Sequence, residues 1–175
     1  MNILITHIRN SLNYGSAMMA INTIHYLKKI FPDANFYCQV NDFHLNRFIE
    51  ATDCYDLKAF PDEPHLLYGK NLLKHLKFHF LMAIGKEPYC NHIKVSKIDL
   101  IIVLGGDDFS SQGSLTQTPN NMRINQYINK HICKVIYLCH NMGPYHGFRE
   151  KLYRQLLHGP CIITRDNFSF VYLTQ

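Results

Sequence analysis

The stretch Asp99-Leu-Ile-Ile-Val-Leu-Gly-Gly-Asp-Asp-Phe109 decides how this chain folds. A continuous, partly β-branched apolar run of that length is the signature of a parallel strand covered on both faces. Two further runs end in the same way, Lys134-Val-Ile-Tyr-Leu-Cys-His-Asn-Met-Gly-Pro144 and Cys161-Ile-Ile-Thr-Arg-Asp166. Each stops at a glycine or a charged cluster. Parallel sheets bind ligands in the crevice outside the carboxyl ends of their strands, so Gly105, Gly106, Asp107, Gly143, Pro144, Arg165 and Asp166 mark a candidate site.

Outward from these runs, strand and helix patterns alternate. Asn2 to His7 reads as a strand, and Gly15 to Phe31 as a helix with apolar residues at helical spacing, ended by Pro32-Asp33. Phe36 to Val40 is a second strand and Asp42 to Ala51 a short helix with Asp42 as its N-cap, followed by a weaker strand over Tyr55 to Phe60. A basic amphipathic helix spans His65 to Lys86, between the Pro-Asp-Glu-Pro punctuation at 61–64 and Pro88. Its Leu/Phe stripe is read as packing on its own sheet, with an anionic membrane surface as the alternative. The strand to Leu104 is followed by a polar loop from Ser110 to Asn121 and a helix over Met122 to His131. Then come the strand Lys134 to Cys139, the helix Phe148 to Leu157, the strand Cys161 to Thr164 and a helix from Asn167. Such alternation implies right-handed βαβ units in an α/β sandwich.

Composition narrows the function classes. The 175 residues are 47% apolar and 13% aromatic, enough for one domain with a real core and too apolar for disorder. Charged residues make up 18%, below the roughly 25% of an average domain, which points to a surface patched with uncharged polar and aromatic groups. The net charge of +5 comes from scattered Lys and Arg, without a basic run or a nucleic-acid-binding motif, so no nucleic-acid partner is expected. The six cysteines at 38, 54, 90, 133, 139 and 161 contain no C-x-x-C, which excludes a zinc ribbon and reads as buried free thiols in a reducing compartment. The start, Met1-Asn-Ile-Leu-Ile-Thr-His7, has no signal-peptide pattern, and no run reaches the roughly 18 apolar residues of a membrane span. The expected location is the cytoplasm, or its membrane face if the basic helix contacts lipid.

Four clusters carry candidate chemistry. Asn13-Tyr-Gly-Ser-Ala17 stands between the first strand and its helix, where backbone N–H groups and the helix dipole favour an anion; Asn13, Gly15 and Ser16 are candidates, with Ser16 able to cap the helix. The alternative is a turn with a good cap. No G-x-G-x-x-G fingerprint is present, so a nicotinamide or flavin role lacks its main support. Gly105 and Gly106 allow a ligand or another backbone to come close. Asp107 and Asp108 can accept hydrogen bonds, but adjacent side chains in an extended segment point apart, so no metal is expected. His140 and His146 are weak acid/base candidates among 11 histidines. Arg165 offers a fork suited to carboxylate or phosphate, while Asp166 can cap the following helix or pair with it.

The order of these clusters resembles the polysaccharide pyruvyl transferase family: Asn13-Tyr-Gly-Ser-Ala17, then Asp99-Leu-Ile-Ile-Val-Leu-Gly-Gly-Asp-Asp-Phe-Ser110, then Tyr137-Leu-Cys-His-Asn-Met-Gly-Pro144, then Ile163-Thr-Arg-Asp-Asn-Phe-Ser169. Asn141-Met-Gly-Pro144 departs from the family's usual Ser-Ile-Gly-Pro, keeping the turn and changing a hydroxyl contact. The resemblance implies a Rossmann-like α/β domain over 1–175, a parallel sheet flanked by helices equivalent to the N-terminal domain of a GT-B-like two-domain enzyme. The family's second domain is expected beyond Gln175, which would leave this half inactive alone, with a homo-oligomer or a separate C-terminal half as partner. The implied reaction transfers pyruvate from phosphoenolpyruvate, the donor substrate with no further cofactor, onto a sugar or lipid-linked glycan as a ketal. Asn13, Gly15, Ser16, Gly105, Gly106, Asp107, Asn141, Gly143, Arg165 and Asp166 are the implied substrate-binding residues. Competing classes are a non-catalytic sugar- or nucleotide-binding module and the acceptor half of a GT-B glycosyltransferase, separated by whether the reading frame continues past Gln175 in a βαβ pattern.

Overall fold

The computed structural model describes residues 1–8, 12–60, 72–84, 86–105 and 117–174, apart from the side chains at 42, 72, 74, 75, 82, 83, 88 and 117. Six parallel strands form one sheet in the order β3-β2-β1-β4-β5-β6. They are β1 (Asn2–Thr6), β2 (Asn35–Cys38), β3 (Lys58–Ala59), β4 (Leu100–Leu104), β5 (Lys134–His140) and β6 (Cys161–Thr164). Seven helices accompany them among the described residues: α1 (Tyr14–Ile30), α2 (Asp42–Thr52), α3 (Leu72–Ala83), α4 (Pro88–Val95), α5 (Gln117–His131), α6 (Phe148–Leu156) and α7 (Asn167–Thr174). The architecture is the expected α/β Rossmann-like one.

The strand at 100–104 behaves as its composition requires. Ile101 and Val103 enter a core with Tyr137, Ile128, Ile93 and Tyr153, whereas Ile102 and Leu104 enter a second core with Ile3, Ile5, Ile24 and Phe48. Period-two alternation splits one apolar run between the two faces. Each fully buried Ile, Leu or Phe contributes about 1.5–3 kcal/mol, so both layers hold the central strands. β1 pairs with β2 on one side and β4 on the other, with Ile3 opposite Phe36 and Leu100. The chain therefore reverses its direction of travel across the sheet between β1 and β4, and a crevice opens where the segments after them part.

Several expectations need correction. β6 is not covered on both faces: Ile162 packs inward, while Cys161 and Ile163 are exposed at the sheet margin. Cys161 also departs from the expectation of buried thiols, which Cys38, Cys54 and Cys90 meet. The weak strand at 55–60 shrinks to two residues, Lys58–Ala59, and the fifth strand runs on to His140. Asn41, not Asp42, caps α2, its Oδ1 accepting the His44 N–H at 3.1 Å. α5 starts at Gln117, inside the expected loop. Pro119 is compatible with that start because the first turn's N–H groups have no helical partner.

Helix α4 was not expected at all. Its signals were present in Glu87-Pro88: Pro occupies the first turn, and the Glu87 carboxylate accepts the Cys90 N–H at 2.8 Å. Of the long basic helix expected over 65–86, α3 accounts for Leu72–Ala83, and 61–71 lie outside the described residues. The favoured packing of its stripe on the sheet is not met at the described residues Leu73, Leu76 and Phe80, while Leu81 is half-buried. Phe78 is buried, but Leu73, Leu76 and Phe80 are exposed.

Candidate functional site

The crevice begins at the carboxyl end of β1. His7 adopts φ 63°, a left-handed conformation that a non-glycine residue rarely takes, and turns the chain out of the sheet. Asn13 then caps α1: its Oδ1 accepts the Ser16 N–H at 3.2 Å, and its carbonyl accepts the Ala17 N–H at 2.9 Å. The cap is thus Asn13 rather than Ser16. Asn13 and Gly15 are exposed and Ser16 is half-buried at the end of a 17-residue helix, whose dipole favours an anion. Beside this first turn lies a cavity of about 340 Å³, lined by Leu12, Tyr14, Ala17, Met18 and Phe48 with Arg47 as its cation.

Across the crevice, Gly105 follows β4. The reason for glycine there is a neighbouring backbone rather than a ligand: a Cβ would overlap the carbonyl of Cys139 and stand 2.7 Å from the carbonyl oxygen of Leu138. The cause is a register shift in β5 between Leu138 and His140, with Cys139 at φ 61°. Gly106 and Asp107 lie outside the described residues.

The bulge turns His140 inward. Its ring is fully buried, and Nε2 donates to the Val103 carbonyl at 3.0 Å, since a carbonyl oxygen can only accept. Its ring also meets Tyr137 edge-on at 5.5 Å. His140 therefore ties β5 to β4 from a position closed to solvent. His146 is exposed. Between them, Asn141 is half-buried, and Gly143 takes φ 75° against the Tyr172 ring, which a Cβ would approach to 2.5 Å.

The β6 end is built by α7. Asp166 accepts the Ser169 N–H at 2.8 Å and the Ser169 hydroxyl at 2.9 Å, and Oγ of Ser169 accepts the Met142 N–H at 3.0 Å. The hydrogen bonds from Ser169 hold the Asp166 carboxyl below its ordinary range. Tyr172 repeats the connection, its hydroxyl accepting the Tyr145 N–H at 3.0 Å and donating to the Tyr145 carbonyl at 3.3 Å. Burial pushes the Tyr145 phenol up, so it stays neutral. Arg165 gives its backbone N–H to the His140 carbonyl at 3.2 Å. Its side chain is exposed, with no carboxylate in ion-pairing reach among the described residues.

The expected residues thus fall into two groups. Asn13, Gly15, Ser16 and Arg165 lie exposed or half-buried at the carboxyl edge of the sheet, whereas Gly105, Gly143, His140 and Asp166 shape that edge through contacts with neighbouring segments. Sequence reasoning passed over His7, Ser169 and Tyr172. Ser169 had a readable signal, three positions after a helix-capping Asp; Tyr172 had none. A cavity of about 540 Å³ lined by Arg123, Lys130, His131 and His158 lies at the opposite, amino edge of β5 and β6, outside this crevice. Among the described residues no three His, Cys, Asp or Glu side chains gather into a metal-binding group.

No curated protein and no solved structure matches the chain. The family model for polysaccharide pyruvyl transferase matches residues 13–175, from the Asn13 cap through the Arg165-Asp166 turn. The match covers most of the chain, and the protein belongs to the polysaccharide pyruvyl transferase family.

Proposed function

We propose that the crevice takes part in moving the pyruvyl group of phosphoenolpyruvate onto a pair of hydroxyls of a sugar in a surface glycan or its precursor. The observation that carries this reading is the division of labour at Arg165-Asp166. Asp166 is committed to Ser169, and no carboxylate among the described residues lies within ion-pairing reach of the neighbouring guanidinium. A planar fork there matches a carboxylate or phosphate in two parallel hydrogen bonds. The exposed N-terminus of α1 supplies a second donor set for an anion.

The chemistry needs little else at the donor. Each acceptor hydroxyl oxygen bonds to C2 of the enol phosphate. One hydroxyl proton is accounted for at C3, which becomes a methyl group, and the other leaves with the phosphate as the C2–O bond to phosphorus-bearing oxygen breaks. Cations that hold the carboxylate and the departing phosphate stabilise the charge that develops there. His146, exposed after Gly143 and Pro144, is the favoured proton carrier; His140, fully buried with Nε2 bound to the Val103 carbonyl, is the weaker candidate.

Calorimetric titration with phosphoenolpyruvate tests the reading. A charge-assisted contact is worth about 1.5–3 kcal/mol, so Arg165→Gln should weaken binding roughly 10- to 150-fold. The His146→Gln variant should bind as the parent does, because a proton carrier adds little to ground-state affinity. Equal affinities of parent and Arg165→Gln, or binding that chelator abolishes, would place the site elsewhere.

A further inference from the structure

Helix α3 has two apolar faces, and among the described residues one is buried and the other exposed. Phe78, 4% exposed, enters the core beside Phe60 and Tyr89. Leu73, Leu76, Phe80 and Ile84 are 75, 57, 63 and 46% exposed. Their spacing of three, four and four residues places them on one stripe, and at 100° per residue Phe78 lies about 150° from its centre. A Leu/Phe/Ile stripe of this kind on a soluble surface is an interaction site.

The charge around it selects the partner. From His65 to Lys86 the sequence holds four lysines (Lys70, Lys74, Lys77, Lys86), three histidines and no Asp or Glu. Lys77 is exposed at the margin of the stripe, one turn from both Leu73 and Phe80. Docking a second copy stripe to stripe would bring two acid-free α3 helices with exposed Lys77 together, and like charges repel. An anionic surface does the opposite. No described helix is long and apolar enough to cross a membrane, which leaves contact in the plane of the lipid headgroups.

We propose that α3 is a membrane-surface helix, whose Leu76/Phe80/Ile84 stripe enters the headgroup boundary of an anionic bilayer while Lys77 meets the lipid phosphates. The inference is independent of the transferase reading, since it rests on residues of α3 and the position after it, none of which is a candidate substrate-binding residue.

The chain contains no tryptophan, so Phe80→Trp places a single fluorescent reporter on the stripe. Its emission should shift to the blue when vesicles of phosphatidylcholine with phosphatidylglycerol are added, and much less with phosphatidylcholine alone. Cosedimentation of the unlabelled protein should follow the same order and weaken as salt rises from about 0.1 M to about 1 M, which shortens the Debye length to roughly 3 Å. The Leu76→Gln/Phe80→Gln variant, altered only at exposed positions, should lose at least about tenfold in vesicle partitioning with an unchanged thermal unfolding curve. Absence of binding to either vesicle, equal binding to both, or binding retained in the double variant would overturn the proposal. A concentration-dependent dimer that the double variant abolishes, without lipid binding, would assign the stripe to a second copy instead.

Discussion

Ser169 holds Met142: the buried hydroxyl on α7 accepts the Met142 backbone N–H at 3.0 Å while giving its own proton to Asp166 at 2.9 Å. One oxygen thereby joins the turn after β6 to the turn after β5. Removing it leaves a buried N–H without its partner, at a cost of about 1–3 kcal/mol. Ser169→Ala should lower stability by that amount in urea unfolding; a change within about 0.5 kcal/mol, the usual range of a surface substitution, would show that the bridge carries no weight.

Gly105 admits no larger residue. The obstacle is the backbone of Cys139 and Leu138, which cannot move aside as a flexible side chain would. Overpacking typically costs about 1–3 kcal/mol, and Gly105→Ala should reach or exceed the top of that range. Equilibrium unfolding checks it, and a neutral Gly105→Ala would mean that the β5 bulge relaxes.

Asp166 confers an acid-sensitive attachment. Its carboxyl is held below the ordinary value of 3.8 first by the Ser169 N–H and then by the Ser169 hydroxyl. With the folded pKa depressed, the contribution is fully present above the unfolded pKa and fades as pH falls through the lower folded one. The stability gap between parent and Asp166→Asn should therefore be constant near neutrality and close below about pH 4. A gap that widens on acidification would contradict the assignment.

The thiols should separate by reactivity. Burial pushes Cys38, Cys54 and Cys90 upward and Cys133 to about 12, whereas Cys161 lies exposed at the sheet margin. Thiolate is the reactive form, so Ellman's reagent at mild alkaline pH should give a leading fast phase that Cys161→Ser removes. A fast phase that survives this substitution would place the accessible thiol elsewhere.

The sheet was readable because its strands write their burial into composition. Leu100 to Leu104 had to lie between two layers, and the boundaries of β1, β6, α6 and α7 fell within a residue or two of their expected positions. What escaped depends on neighbours distant in sequence. Nothing within Gly105-Gly106 tells whether a ligand or a strand approaches; at Gly105 the bulge at Cys139, more than thirty residues on, decides it. His140 was one weak catalytic candidate among 11 histidines, and the Val103 carbonyl that holds its Nε2 lies far away in sequence. α3 is the opposite case: its amphipathic pattern was clear, but a pattern does not say which of two apolar faces the fold will use.

The two margins of the sheet are unequal. β3 offers an approaching strand only two residues, too few to register against. β6 offers four, with no further strand paired to its outer side among the described residues, and it carries exposed Ile163 beside the exposed Phe168 and Phe170 of α7. Backbone N–H and C=O groups on such an edge are a template for extended chain. Should the protein polymerise when concentrated or warmed, growth has one starting end, and a lysine in place of Ile163 is the substitution that would blunt it.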